Sequence, residues 1–244
     1  MNIAPQSKPS AWFDLARAGN FPSVWSNVLA ALTLSTVDHI RGPGTGTWLL
    51  ATLAGTLAYA GGTTLNDVFD VGFDRRHRPD RAIPSGIISR TTAAWVGALL
   101  LAAGAGLLLF LHAAAGWVLG LIACILLYDW LHKRWTGSVL LMAGCRALLA
   151  LAIASLPWQG FTTPLLGWLA ALFIYIVGLS LLARREYLPG APKVKLGRQV
   201  GRLLAFIPLL DALALLTVGA WLPALACACA VPLGRVAQRL SASN

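Results

Sequence analysis

Charge is scarce in this chain: of its 244 residues only 11% are Asp, Glu, Lys or Arg, while 57% are hydrophobic and the mean hydropathy is +0.71. A soluble domain of this length has no core large enough to hide that much apolar surface, so the composition implies an integral membrane protein. Acidic residues are scarcer still, nine against 19 basic ones, and the resulting formal charge of +10 raises nucleic acid as a partner. The basic residues, however, stand in short clusters between apolar stretches, the pattern of the positive-inside rule, so no nucleic acid is expected and membrane lipid is. Cysteine offers neither a metal pattern nor a disulfide framework, because Cys124, Cys145, Cys227 and Cys229 all lie within apolar stretches with no His at ligand spacing. The first twenty residues lack the apolar region and small-residue cleavage site of a signal peptide. They read as a polar segment in which Trp12, Phe13, Leu15, Ala16 and Arg17 form a short interfacial helix.

Apolar stretches of about bilayer length fall at 21–37, 47–66, 92–112, 115–130, 138–157, 163–183, 202–219 and 221–236. Gly, Pro or charged residues mark the joints between them. The expected fold is therefore all-α: a polytopic membrane bundle of about eight transmembrane helices, forming one domain over residues 1–244. With the N-terminus in the cytoplasm, nearly every Lys and Arg falls on the cytoplasmic side, leaving Arg41 outside and Arg146 within a span. That asymmetry predicts cytoplasmic termini, and the expected location is a bacterial inner membrane.

The most informative segment is Asn66-Asp67-Val68-Phe69-Asp70-Val71-Gly72-Phe73-Asp74, followed by Arg75, Arg76, His77 and Arg78. On a helix Asp67, Asp70 and Asp74 share a face, with Asn66 one turn before Asp70. Carboxylates so crowded repel one another unless positive charge lies between them, and at the end of an apolar run they are expected to face a polar cavity. Hard divalent cations bind such oxygens together with substrate phosphates, which makes a diphosphate and Mg2+ site the expectation. A prenyl diphosphate meets both halves of the pattern, with a polyanionic head for the metal and cations and a hydrocarbon tail for an apolar chamber. Metal, Lys and Arg would stabilise the departing diphosphate, and an aromatic face such as that of Tyr128 the positive allylic carbon.

The run Asn66-Asp67-x-x-Asp70-x-x-x-Asp74 with Arg75, then Arg81-x-x-Pro84-x-Gly86, resembles the first aspartate-rich signature of the UbiA superfamily of membrane prenyltransferases. Leu15-Ala16-Arg17 with Phe21-Pro22 and Asn27 is similar to the start of that family's first helix. Tyr128 to Lys133-Arg134 is similar to its Tyr-Lys-Arg segment. The resemblance implies that Asn66, Asp70 and Asp74 hold Mg2+ on the diphosphate with Asp67 close by. It also implies that Arg17, Lys133 and Arg134 bind phosphate oxygens, that Tyr128 lies beside the prenyl carbon, and that Asn27 and Arg75 belong to the substrate site. The acceptor is expected to be an unidentified aromatic or other lipophilic molecule.

One departure stands out. Where the family carries a second acidic motif, the loop from Leu182 to Arg198 holds Glu186 as its single acidic residue, so Lys195 and Arg198 are expected to meet phosphate directly. The chain thus resembles a divergent, EboC-like subgroup. A rival function follows from the same loss: a catalytically weakened relative that binds a lipid diphosphate or serves a membrane complex. A transporter would gather its ions at the midplane instead of one face, and the D-G-x-x-A-R signature of CDP-alcohol phosphotransferases is absent. Two ions remain inside the spans, Arg146 and Asp211, expected to pair with each other or to line the chamber.

Overall fold

The computed structural model describes residues 7–37, 42–157, 159–185 and 193–242, with residues 193–195 and 239–242 described by backbone alone. Among the described residues there are nine α-helices, one short 3-10 turn and no strand. A short helix, α1 (Lys8–Leu15), precedes eight longer ones: α2 (Phe21–Leu34), α3 (Thr45–His77), α4 (Arg90–Phe110), α5 (Ala115–Leu131), α6 (Ser138–Ala154), α7 (Thr163–Arg184), α8 (Lys193–Thr217) and α9 (Trp221–Ala242). These eight fall where the apolar stretches of the sequence lie. On length and composition α4, α7 and the stretch Leu196–Thr217 of α8 suffice to cross a bilayer, while α5 and α6 are apolar but shorter.

The longest helix fixes where the polar residues go. At 1.5 Å per residue the 33 residues of α3 extend about 50 Å, well beyond a hydrocarbon core of about 30 Å. Its apolar half occupies the bundle and its Asp-bearing half projects from it. Helix α4 runs back alongside, and the two backbones nearly touch: a Cβ at Gly61 would lie 2.5 Å from the Leu101 amide nitrogen, and one at Gly104 2.6 Å from that of Ala58. Small residues at such crossings are how membrane helices gain contact without a hydrophobic driving force.

The main core is built of small and branched residues, among them Val28, Leu32, Leu108, Ile153, Leu172 and Leu215. Phe110, Ile174 and Leu222 stay exposed on the outer surface, as lipid-facing side chains do. A second, smaller core lies at the projecting end of α3, where Ala11 and Leu15 of α1 pack on Val68, Val71 and the loop residues Ala82, Ile83 and Ile88. Helix α1 is thus tied to the Asp-bearing end, as its interfacial reading requires. The two ends of the described chain meet there too, since Gln238 of α9 donates to Asn20 at 3.0 Å.

Arg146 and Asp211 do not pair directly, contrary to the first alternative the sequence offered. Asn27 lies between them: its amide nitrogen donates to both Asp211 carboxylate oxygens at 3.0 and 2.8 Å, and its amide oxygen accepts from Arg146. Trp168 adds a bond to Asp211 at 2.9 Å, and Ser23 receives the rest of the Arg146 guanidinium. An amide can satisfy a cation and an anion at once, which lets the two buried charges share Asn27 as a partner.

Candidate functional site

Helices α3, α5 and α7 run in the same direction, and each presents apolar residues first and polar ones at its C-terminal end. Together with α6, which starts at that end, they enclose a cavity of about 610 Å³. Ala58, Leu121, Leu149 and Ile176 line its apolar part; Asn66, Asp70, Asp129, His132, Lys133 and Arg184 line its polar part. Arg17, Arg78 and Arg81 complete the polar rim.

The carboxylates of α3 are held by cations from three other places. Arg17 reaches Asp67 at 3.0 Å from a left-handed backbone conformation, φ 51°, which bends the chain between α1 and the next turn and turns its side chain towards α3. For a residue with a Cβ that conformation is sparsely populated and is found at sites where geometry matters. Arg81, in the loop after α3, bonds Asp67 at 3.2 Å and Asp74 at 2.9 Å. His132 meets the Asp70 carboxylate at 3.1 Å and Lys133 meets it at 3.3 Å. Burial by itself would raise the Asp70 pKa; the His132 hydrogen bond and the Lys133 charge outweigh it and hold the carboxyl below its ordinary value. The Asp67 carboxylate raises the Arg17 guanidinium further above its own.

One turn of α3 therefore faces one turn of α5 through two rungs. The Asn66 amide nitrogen donates to Asp129 at 3.0 Å, and Asp70 meets His132 and Lys133. Tyr128 stacks on His132 with ring centroids 5.1 Å apart, and its side chain lines the cavity between the polar rim and the apolar part. Lys133 also lies 4.5 Å above the Phe73 ring. Arg184 of α7 closes the rim, donating to the His132 and Trp135 carbonyls and to Ser138.

Of the residues marked in the sequence, Arg17, Asn66, Asp70, Tyr128 and Lys133 line the cavity, while Asp67 and Asp74 are buried just behind it on Arg81 and Arg17. Asn27 does not line it; its amide is spent between Arg146 and Asp211. Arg75 and Arg134 are exposed outside the cavity, and so is Arg198 on α8. Glu186 and the Lys195 side chain lie outside the described residues. Asp129, His132 and Arg184, outside the motif residues of the sequence, also line the cavity. Asp129 and His132 carried a signal, because with Lys133 they sit at i, i+3 and i+4 and so share a helix face directly after Tyr128.

The cavity tests whether the site suits Mg2+. Asn66, Asp70 and Asp129 supply amide and carboxylate oxygens, the donors a hard cation takes, and the second carboxylate oxygen of Asp129, Oδ2, is buried with no hydrogen-bond partner. An unpaired buried oxygen beside two further hard donors fits such an ion, although no group of three His, Cys, Asp or Glu side chains converges among the described residues.

Bundle and cavity together define a class: a helical membrane protein whose chamber joins a charged, oxygen-rich end to an apolar interior. Residues 21–244 match the UbiA prenyltransferase family, and the chain belongs to it. It is similar to the digeranylgeranylglyceryl phosphate synthase of Thermococcus gammatolerans, 40% identical over 87 residues, which are 35% of this chain and 31% of that one. The synthase of the same name from Ignicoccus hospitalis is 28% identical over 181 residues, covering 72% of this chain and 57% of its own. The chain thus spans a third to somewhat over half the length of these two curated relatives. A solved structure, presented as insights into the biosynthesis of digeranylgeranylglyceryl phosphate synthase in membranes, shares the fold with a TM-score of 0.63. The match covers 96% of this chain and 95% of that one at 17% identity.

Proposed function

We propose that this protein transfers an isoprenyl group from an allylic prenyl diphosphate to a lipophilic acceptor, releasing diphosphate. The observation that carries the reading is the cavity itself, with Arg17, Arg78, Arg81, Lys133 and Arg184 around its polar end and an apolar interior large enough for a hydrocarbon tail. Lys133 and the arginines bind and orient the diphosphate, and they favour the departure of its oxygen because that oxygen gains charge as the carbon-oxygen bond breaks. Asn66 and Asp70 are the cavity residues of the first motif that would hold Mg2+, which would supply further neutralisation of the diphosphate when bound. Tyr128 presents its ring at the boundary between rim and tail, where an allylic carbon gains positive charge. The surrounding apolar residues exclude water, the competing nucleophile.

Both termini and the cavity belong to the cytoplasmic face in this reading. The clusters at Arg75 to Arg81, Lys133-Arg134 and Arg184-Arg185 all stand at the cavity end, and the positive-inside rule assigns that end.

The relatives' name describes a product with two geranylgeranyl groups on a glyceryl phosphate, so the acceptor panel for this chain begins with isoprenyl glyceryl phosphate and extends to aromatic acceptors. The test is transfer of labelled geranylgeranyl or farnesyl groups by purified protein with Mg2+. No labelled product from any donor and acceptor pair, with the diphosphates still raising the melting temperature, would replace the enzyme by a lipid-diphosphate binder.

A further inference from the structure

We propose that Asp129, on α5, is a ligand of the divalent cation and joins Asn66 and Asp70 in holding it. This rests on the reading of the cavity as a prenyl diphosphate site.

The buried carboxylates at the site differ sharply in their partners. Asp67 has Arg17 and Arg81, Asp70 has His132 and Lys133, and Asp74 has Arg81. Asp129 is 4% exposed, yet among the described residues its carboxylate's one hydrogen bond comes from the neutral amide of Asn66, to Oδ1. Its Oδ2 is buried with no partner, and the nearby Asp70 and Asp67 carboxylates repel it. A carboxylate in that position is costly unless it takes up a proton or a cation occupies the space beside it, and a proton still leaves Oδ2 without a partner.

Nothing in the apolar lining of α5 requires an acid here; Ile125 and Leu121, one and two turns earlier, fill their places as hydrocarbons. The missing partner has to reach the carboxylate from the cavity, which Asp129 lines together with Asn66 and Asp70. The three bring an amide oxygen and two carboxylates from two helices, a hard-donor set for Mg2+ or Mn2+ in which diphosphate oxygens complete the shell. Met, Leu or Val at 129 would make the same helix without making this site.

Purified full-length protein in detergent tests the assignment with Mn2+ as the probe. Free Mn2+ is read by electron paramagnetic resonance, with and without geranylgeranyl thiolodiphosphate, a slowly cleaved donor analogue. Asp129→Asn keeps the size and the acceptor oxygen for Asn66 but removes the charge. We expect it to weaken Mn2+ binding at least tenfold, to keep or raise the metal-free melting temperature, and to lose most of the Mn2+-dependent rise. Asp129→Ser provides the same reading should the first variant fold poorly. Mn2+ affinity in either variant within twofold of wild type would overturn the assignment; if transfer were lost at the same time, Asp129 would instead act as a proton acceptor. Wild-type protein that binds no Mn2+ even with the thiolodiphosphate would remove the proposed function itself, an outcome distinct from a loss of effect at residue 129 alone.

Discussion

Arg81→Met gives the sharpest test of how the aspartate-rich end of α3 is held. The Arg81 guanidinium bonds Asp74 at 2.9 Å and Asp67 at 3.2 Å, and it is the charged partner that Asp74 has among the described residues. Asp67 keeps Arg17 when Arg81 is removed, so the penalty falls on Asp74, whose side chain is 2% exposed. Breaking a buried pair from one side costs about 3–5 kcal/mol. The Arg81 side chain is 23% exposed, and water can reach part of the space it vacates, which lowers the expectation to about 2–3 kcal/mol. For a chain of this size that is a fall in melting temperature of about 4–12 °C. The assay is thermal unfolding of purified wild type, Arg81→Met, Asp74→Asn and the double variant in one detergent without metal. The double variant should recover more than half the loss, because the charge left stranded by the first change is gone. A single-variant loss below about 2 °C, or a double variant no more stable than Arg81→Met, would show that Asp74 does not depend on Arg81.

Other outcomes follow from the same structure. Asn27→Leu should destabilise the bundle by about 2–3 kcal/mol, since it strips both Arg146 and Asp211 of their shared partner; unchanged thermal unfolding would show the relay to be dispensable. Gly104→Leu should abolish the close α3 to α4 crossing and leave little monodisperse protein by size-exclusion chromatography, whereas Gly106→Leu, where a Cβ meets open space, should behave as wild type. Tyr128→Ala should reduce prenyl transfer at least tenfold and Tyr128→Phe much less, because cation-π stabilisation of an allylic cation needs the ring and not the hydroxyl; equal losses would point to the hydroxyl. In intact cells an impermeant thiol reagent should label Thr45→Cys and not Pro79→Cys, and the reverse would invert the topology.

The sequence by itself determined the class of protein and the positions of its helices. Hydropathy sufficed because a bilayer demands long apolar helices, and the eight stretches of the chain correspond to α2 through α9. The spacing of Asp67, Asp70 and Asp74 likewise put three carboxylates on one face, which follows from helical periodicity alone.

What periodicity cannot say is which charge meets which across helices. The tertiary structure decided that Arg17 and Arg81 hold Asp67, that His132 and Lys133 hold Asp70, and that Asn27 relays between Arg146 and Asp211 instead of lining the chamber. It also decided the surroundings of Asp129. In the sequence it is one acid at the end of an apolar run, indistinguishable from a helix-end charge reaching for water. Only the packing of α5 on α3 buries it beside Asn66 with an oxygen left over, because desolvation and pairing depend on neighbours that are 63 residues away along the chain and in contact in the fold.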